Sequence, residues 1–385
     1  MPLGDRPSAA SLLLLLQTLS GAGGLFFSPG PKYQDPLRQR LDCPAGFSRP
    51  GRPPSSVHRL RPGDVKVIGA LGDSLTAGNG AYSTQILDVR TNYRGASWSA
   101  GGRGHYSRIF TLPNVVKHFS PGLVGFSTGS GGPMSPGAQF NVAKAGSLHR
   151  GMPGQAWRLV NRIRRDRRVD FHNDWKLITI MIGGNNLCSH VCKRKNYWPN
   201  SPRGHAASLR QALDILHQHL PRTFVNLVPV VDVTVLLDVK GKNLPCQLAD
   251  NFLCPCLFGK KRLNRRQMRR KVTGYQNAAI GLVESGRYDT RDDFTVVIQP
   301  FNIESKLPMV PSRYGMRADP TFMSADCFHL SQRGHSLMAQ ALWNNMLEPV
   351  GHKSWDWRIM EGGLRCPSES NPFFTTYKNP SGSLR

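Results

Sequence analysis

The chain has 385 residues, of which 39% are hydrophobic and seven are Trp, so it has enough apolar material for a substantial folded core. Its formal net charge is +26, from 50 Lys and Arg against 24 Asp and Glu. These values exclude a wholly disordered chain and favour an anionic partner, such as an acidic lipid surface, a sulfated glycan or nucleic acid.

The first 24 residues have the features of a secretory signal peptide. An apolar run at residues 12–16 is followed at residues 20–22 by Ser-Gly-Ala, a small-x-small pattern that suits signal cleavage. We therefore expect residues 1–24 to be a signal peptide and the protein to be secreted; a disordered N-terminus in a cytosolic protein is the alternative. Because no later segment reaches the roughly 18 apolar residues of a membrane-spanning helix, the chain as it stands is not expected to cross a membrane.

Five apolar runs rich in Val and Ile predict strands that are buried on both faces. They are centred on residues 65–71, 140–145, 177–183, 224–233 and 294–300. Helical periodicity is present in residues 154–166, 207–220, 262–285 and 332–347. In the first of these, Trp157, Val160 and Ile163 are spaced by three, and in the second, four Leu residues share one face. This alternation predicts an α/β fold in which helices cover both sides of a parallel sheet.

The folded domain is expected at residues 63–350. Residues 25–62 and 351–385 have the Pro, Gly and basic composition of linkers. A Leu-x-Cys-Pro motif occurs in both linkers, at Cys43 and again at Cys366. Unless the match is a coincidence, residues 351–385 hold the start of a truncated next repeat.

The first predicted strand ends on Gly72-Asp73-Ser74. In parallel sheets of this kind, ligands bind beyond the carboxyl ends of the strands, so Ser74 is expected on the reactive edge rather than in the core. Asp73 is expected to make a turn hydrogen bond rather than to carry a proton. Residues 82–138, rich in Gly, Ser and Pro, are expected to be an insertion that covers this edge and forms an acyl-chain pocket or a lid.

Attack by a hydroxyl on an ester needs a base, a group that orients the base, and donors for the oxyanion. Asp326 and His329 lie three residues apart just before a predicted helix, so one loop can present both the imidazole and its carboxylate partner. Gly146 and Asn185 each follow a predicted strand. They are the candidate oxyanion donors, together with the backbone N–H of the serine.

The eight cysteines form an even set, as in oxidised secreted proteins, and we expect disulfides whose pairing the sequence leaves open. We expect Cys327 to anchor its loop to the region 246–256. The pairs Cys188/Cys192 and Cys254/Cys256 are an alternative metal site, but neither has a usual zinc spacing. We expect no metal and no cofactor.

Two further residues, a serine and a histidine, resemble catalytic residues but are expected to have no catalytic role. The stretch GFSTG, residues 125–129, matches the nucleophile elbow of α/β-hydrolases, but Ser127 lacks the required strand before it and helix after it. His335 lies inside the predicted final helix and is expected to be a packed or surface histidine.

The basic run at residues 260–271 is expected to be a solvated helix face, with a nuclear signal as the alternative and contact with a membrane as a hypothesis.

Four blocks come in the order found in GDSL or SGNH hydrolases, namely GDSL at 72–75, NVAKAG at 141–146, GGNN at 183–186 and DCFH at 326–329. With longer stretches such as RVDFHNDWKLITIMIGGNNLC and DCFHLSQRGHSLMAQALWNNMLEPVG, the chain resembles the membrane-associated phospholipase B branch of that family over roughly residues 37–375. It departs from the third block at Asn186, where the family usually has Asp.

This resemblance implies a flavodoxin-like α/β/α sandwich and metal-free hydrolysis of phospholipid and lysophospholipid acyl esters, extending to retinyl and other lipid esters. By position, it implies Ser74 as the nucleophile, Gly146 and Asn185 as oxyanion donors, Asp326 as the orienting group and His329 as the general base. The family's full-length form is a set of similar repeats followed by one membrane anchor. Here we expect a single repeat without the anchor.

The expected partners are a lipid ester substrate and an anionic membrane surface, and no nucleic acid is expected. The alternative is a catalytically silent repeat that binds anionic surfaces or glycans through its basic face. An esterase for carbohydrate acetyl groups is a third interpretation, which the phospholipase-like stretches disfavour.

Overall fold

The computed structural model describes residues 41–44, 53–193, 197–239, 244–312, 315–357 and 363–381. The expected signal peptide and most of the N-terminal linker lie outside the described residues. The strands are β1 (Val65–Gly72), β2 (Trp175–Met181), β3 (Thr223–Val228), β4 (Phe294–Ile298), β5 (Met309–Ser312) and β6 (Gly315–Ala318). The helices are α1 (Ser74–Ala77), α2 (Leu112–Phe119), α3 (Met152–Arg165), α4 (Gly184–Ser189), α5 (Pro202–His219), α6 (Leu244–Leu253), α7 (Pro255–Phe258), α8 (Arg265–Glu284) and α9 (Gln332–Leu347).

A parallel sheet in the order β1-β2-β3-β4 forms the centre of the protein. Alternate side chains of each strand enter two different apolar clusters, which is why these strands read as continuous apolar runs. Helices α3 and α5 pack on one face of the sheet, and α2 and α9 pack on the other. The predicted α/β/α sandwich is therefore confirmed.

The run at residues 140–145, predicted to be a strand, makes a single parallel bridge to β1, between Ala70 and Asn141. The ladder goes no further because the Gly72 N–H donates to Gln155 Oε1 at 2.9 Å rather than to the next carbonyl of the segment, that of Val142. Counting this segment as an irregular strand gives the order 2-1-3-4-5, the flavodoxin-like arrangement, with a topological switch point beside β1.

The predicted helices are present, with one side chain placed differently from the prediction. The four Leu residues of α5 and its C-cap are buried, as their periodicity predicts. Trp157 of α3, however, is 42% exposed and lies against the ring of His219 at 4.6 Å. A spacing of three drifts around a helix with 3.6 residues per turn, so Gln155 and Leu159, not Trp157, occupy the inward face with Val160.

The segments expected to be linkers contribute to the folded unit. Val57 and Leu60 are fully buried, and so are Phe374 and, nearly so, Phe373. These two segments contain few apolar residues among many Pro, Gly and basic residues. For this reason the sequence predicted linkers. The Cys43–Cys366 disulfide then joins the two Leu-x-Cys-Pro motifs within one folded unit.

All eight cysteines form disulfides. Two of the bonds, Cys188–Cys254 and Cys192–Cys256, use the four cysteines that were considered as metal ligands, so the metal alternative is wrong. The expected anchor of Cys327 in the region 246–256 is confirmed, since Cys327 is bonded to Cys246. In the described part of the chain, no helix is both long enough and apolar enough to cross a bilayer.

Candidate active site

Strand β1 delivers Ser74 to the edge of the sheet through a sharp turn. The side chain of Asp73 caps α1 by accepting the Leu75 N–H at 3.1 Å, which is the turn hydrogen bond predicted for it. Gly72 is needed at this point because a Cβ there would lie 2.5 Å from Thr76 Oγ1 and 2.7 Å from the Met181 carbonyl. The turn leaves Ser74 only 7% exposed, at the wall of a cavity.

The loop before α9 places His329 against Ser74, although the two residues are 255 positions apart. His329 Nε2 lies 2.9 Å from Ser74 Oγ, and His329 Nδ1 lies 2.6 Å from Asp326 Oδ2. Because an ionised carboxylate can only accept, Nδ1 carries the proton and Nε2 is left to accept the serine hydroxyl proton. The structure thus brings together the three side chains that a serine hydrolase needs for its nucleophile and base.

The carboxylate of Asp326 is held in its ionised form. Burial alone raises the pKa of a carboxyl group, but the charge and hydrogen bond of His329 and the backbone N–H groups of Phe328 and His329 outweigh this effect and lower the pKa of Asp326. Asp73 behaves in the opposite way. Its burial raises its pKa to about 6, against the opposing effects of the Leu75 N–H and the charge of His329.

The two candidate oxyanion donors sit on neighbouring turns. Asn185 at the start of α4 lines the same cavity as Ser74, and its Nδ2 donates to the Ser147 carbonyl at 3.1 Å. That bond fixes the amide beside the turn that contains Gly146, where φ is +73°, a conformation that favours glycine. Both turns lie at the switch point of the sheet, next to the end of β1.

Asn186 shows how the chain accommodates its departure from the family's third block. Its Oδ1 accepts the backbone N–H of His149 at 3.0 Å, a bond that the usual Asp would also make. Its Nδ2 faces Oδ1 of Asn200 at 3.4 Å, where a carboxylate would meet another acceptor. The amide therefore ties the 146–149 turn to the start of α4 without an unpaired buried charge.

Gln155 is a positioning residue that the sequence interpretation missed. It is buried on the inward face of α3 and holds Gly72 on both sides, accepting its N–H and donating to its carbonyl, each at 2.9 Å. It also donates to Ser147 Oγ at 3.1 Å. One side chain therefore joins the nucleophile turn to the oxyanion turn. The sequence could have indicated this role, because Gln155 is a polar residue at an inward-facing position of an amphipathic helix.

The cavity beside Ser74 has a volume of about 60 Å³, and its walls are mainly apolar. Its apolar lining includes Val231, Val233, Leu236, Leu307, Phe328, Leu330, Met338 and Trp357. These residues come from the segment after β3, the segment after β4, the loop before α9, α9 itself and the C-terminal segment. Residues 82–138, expected to form the pocket or a lid, supply none of the described lining residues, so that interpretation is not supported.

The remaining candidates are structural. Ser127 is fully buried and its hydroxyl donates to the Ala138 carbonyl at 2.8 Å, away from the cavity. His335 is fully buried within α9, and burial lowers its pKa to about 3, with the charge of His329 acting in the same direction. His335 is therefore a packed histidine, one of the two placements expected for it, and Ser127 is not at the cavity.

A family model described as GDSL-like lipase/acylhydrolase matches residues 68–342, more than half of the chain. The chain belongs to this family. The resemblance predicted from the four blocks is thereby confirmed, and the carboxylic ester hydrolase class follows from the family.

Three curated relatives are described as phospholipase B1, membrane-associated. The human protein is 45% identical over 333 residues, the mouse protein 42% over 336, and the rat protein 43% over 382. The alignments cover 85%, 85% and 97% of this chain but 22%, 22% and 26% of the relatives. The chain thus spans about a quarter of the length of the relatives it matches.

Two solved structures are also similar. A Bacillus subtilis protein matches 72% of this chain and 55% of its own length at 12% identity, with a TM-score of 0.34. An acetyl esterase mutant crystallised with acetate matches 71% of this chain and 93% of its own length at 14% identity, with a TM-score of 0.32. Matches this weak carry no argument about function.

Proposed function

We propose that this chain is a serine hydrolase that cleaves the acyl esters of phospholipids and lysophospholipids. The observation that carries the proposal is the Asp326–His329–Ser74 relay beside an apolar cavity. A hydroxyl with a correctly oriented base next to an apolar cleft is suited to an ester whose acyl part is a hydrocarbon chain. The names of the similar phospholipase B1 proteins support the same substrate class.

In the proposed reaction, Ser74 Oγ attacks the ester carbonyl while His329 Nε2 takes its proton. Asn185 Nδ2 and the backbone N–H groups of Gly146 and Ser74 donate to the oxyanion. His329 returns the proton to the leaving alcohol, a lysophospholipid or a glycerophosphodiester, and the acyl group stays on Ser74 as an ester. Water then attacks the acyl-enzyme with His329 as base, which releases the fatty acid and restores the serine.

We further propose that the protein acts outside the cell and that its substrates extend to retinyl and other lipid esters. The four disulfides support an oxidising compartment. The apolar character of the cavity walls supports a broad range of lipid esters.

The decisive experiment combines labelling with turnover. A fluorophosphonate probe is expected to label the protein at Ser74, and Ser74→Ala or His329→Ala is expected to abolish labelling and lower hydrolysis of a monomeric ester by about 10³-fold or more. Asp326→Asn should lower turnover on the order of 10³-fold because the imidazole loses its partner for the correct tautomer. A folded protein that neither labels nor hydrolyses esters would instead favour the silent binding repeat.

A further inference from the structure

Helix α6 carries an exposed apolar stripe on its outer surface. Leu244, Leu248 and Phe252 repeat every four residues and are 60%, 37% and 56% exposed. Cys246 and Asp250, on the opposite side of the helix, are buried. Large apolar side chains aligned along one exposed helix face indicate a contact surface rather than scattered surface residues.

The position of α6 connects this stripe to the catalytic cavity. The Cys246–Cys327 disulfide links the helix to the loop that carries Asp326 and His329. Just past the other end of the helix, Cys254 is bonded to Cys188, a residue of α4 that lines the cavity. The helix therefore spans from the acid–base loop to the oxyanion helix, with its apolar stripe facing outward beside the substrate site.

Cations lie at the C-terminal end of the same surface. Lys260, Lys261 and Arg262 are exposed in the turn after α7. This turn is held to α7 by the Leu263 N–H, which donates to the Cys256 carbonyl at 2.8 Å. Since Cys256 follows α6 by only three residues, the cations lie close to the C-terminal end of the helix. We call the stripe together with these cations the α6 surface.

We propose that the α6 surface docks the protein on a phospholipid layer that contains anionic lipids, with Leu244, Leu248 and Phe252 inserting among the acyl chains. Interfacial binding of this kind needs a few apolar side chains together with nearby cations, which is what this surface offers. A stable protein partner would require about 800 Å² on each side, more than three side chains supply. The net charge of +26 adds long-range attraction to an anionic layer.

This inference rests on the proposed function, because the layer is also the source of the substrate. Docking through α6 would hold the layer next to the element that is disulfide-bonded to the loop of Asp326 and His329. The surface is distinct from the catalytic machinery, so binding and chemistry can be measured apart from each other.

The binding test uses Ser74→Ala protein, which cannot turn lipid over, and co-sedimentation with two kinds of vesicle: phosphatidylcholine alone, and phosphatidylcholine with phosphatidylserine. We expect binding to the second kind, and Leu248→Gln with Phe252→Gln should weaken it about tenfold or more without changing the charge. Met134→Gln is the matched control, since Met134 is 73% exposed beside α3 and should have no effect. Unchanged binding of the Leu248/Phe252 variant would overturn the inference.

A second arm measures activity in protein that retains Ser74. The Leu248→Gln/Phe252→Gln variant should hydrolyse a monomeric short-chain ester at the normal rate and vesicle phospholipid about tenfold more slowly. Equal rates on vesicles would overturn the inference. If no ester is hydrolysed by any form, the proposed function fails, while vesicle binding by Ser74→Ala still decides the role of the α6 surface.

Discussion

The two halves of the candidate catalytic site are positioned in different ways. Ser74 and Asn185 follow the ends of β1 and β2. Both strands are buried in the core, and each is hydrogen-bonded to the chain on either side of it. Asp326 and His329 lie in an irregular loop that belongs to no sheet and is covalently fastened to α6 through Cys327. The first half takes its geometry from packing in the core, and the second from a crosslink and a few local bonds.

The loop half also contains the less favourable backbone. Cys327 has φ of +55°, in the left-handed region that non-glycine residues rarely occupy. Ser324 secures the start of the loop, donating from its hydroxyl to the Gly80 carbonyl at 2.7 Å and from its N–H to the His329 carbonyl at 2.8 Å. A strained conformation persists where its surroundings determine it, so the disulfide and Ser324 are the natural points at which to perturb this half.

Among variants that keep Ser74, Asp326 and His329, removal of the Cys246–Cys327 bond should have the largest effect on turnover. In Cys246→Ala/Cys327→Ala protein, the loop can relax from its left-handed turn, and a displacement of His329 by about 1 Å lowers turnover of a monomeric ester roughly 10- to 100-fold. The matched control is Cys43→Ala/Cys366→Ala, which removes a disulfide between cysteines that are 323 positions apart. Neither of these cysteines lies in the loop of Asp326 and His329. Both variants should lose up to about 5 kcal/mol of stability. Equal turnover in the two variants would show that the crosslink does not position the loop.

Loss of Gln155 should affect the sheet half through stability first. Gln155→Ala leaves the Gly72 N–H without its buried partner, while the Gly72 carbonyl still accepts the Lys144 N–H, and we expect a cost of about 1–3 kcal/mol in a denaturant unfolding experiment. Turnover of a monomeric ester should fall about tenfold because the nucleophile turn and the oxyanion turn lose their link. Asn161→Ala, an exposed amide on the same helix, should change stability by less than about 0.5 kcal/mol. Similar stability losses in both variants would contradict this role.

The smallest expected effect concerns pH. Burial raises the pKa of Asp73 to about 6, so the folded protein binds this proton more tightly than the unfolded chain does. The proton therefore contributes to the free energy of unfolding in full below about pH 4, and this contribution is lost as the pH rises through 6. Asp73→Asn keeps the acceptor for the Leu75 N–H and removes the buried charge. It should raise the free energy of unfolding at pH 8 by roughly 1–3 kcal/mol, with the difference vanishing near pH 4. A gain that does not depend on pH would contradict this explanation.

Much of the architecture followed from local patterns in the sequence. Continuous Val and Ile runs predicted the four strands of the parallel sheet, and the Leu spacing predicted the buried face of α5, because both patterns report burial on a regular element. The run at 140–145 failed as a strand because the Gly72 N–H, which would continue the ladder from β1, donates instead to Gln155, a residue distant in sequence from Gly72. The flanking segments were mistaken for linkers because a few aromatic anchors are diluted by Pro and Gly.

The sequence by itself determined the chemical parts of this protein: which side chains can act as nucleophile, base and orienting group, and which strand ends carry them. Short-range spacing is sufficient for that, since a strand end or a single loop is a local feature. Tertiary structure alone decided how the cysteines pair, that Gln155 joins two turns, and that an apolar stripe remains uncovered on α6. Each of these depends on which distant segments meet in space, and that is set by packing of the whole chain rather than by any local pattern.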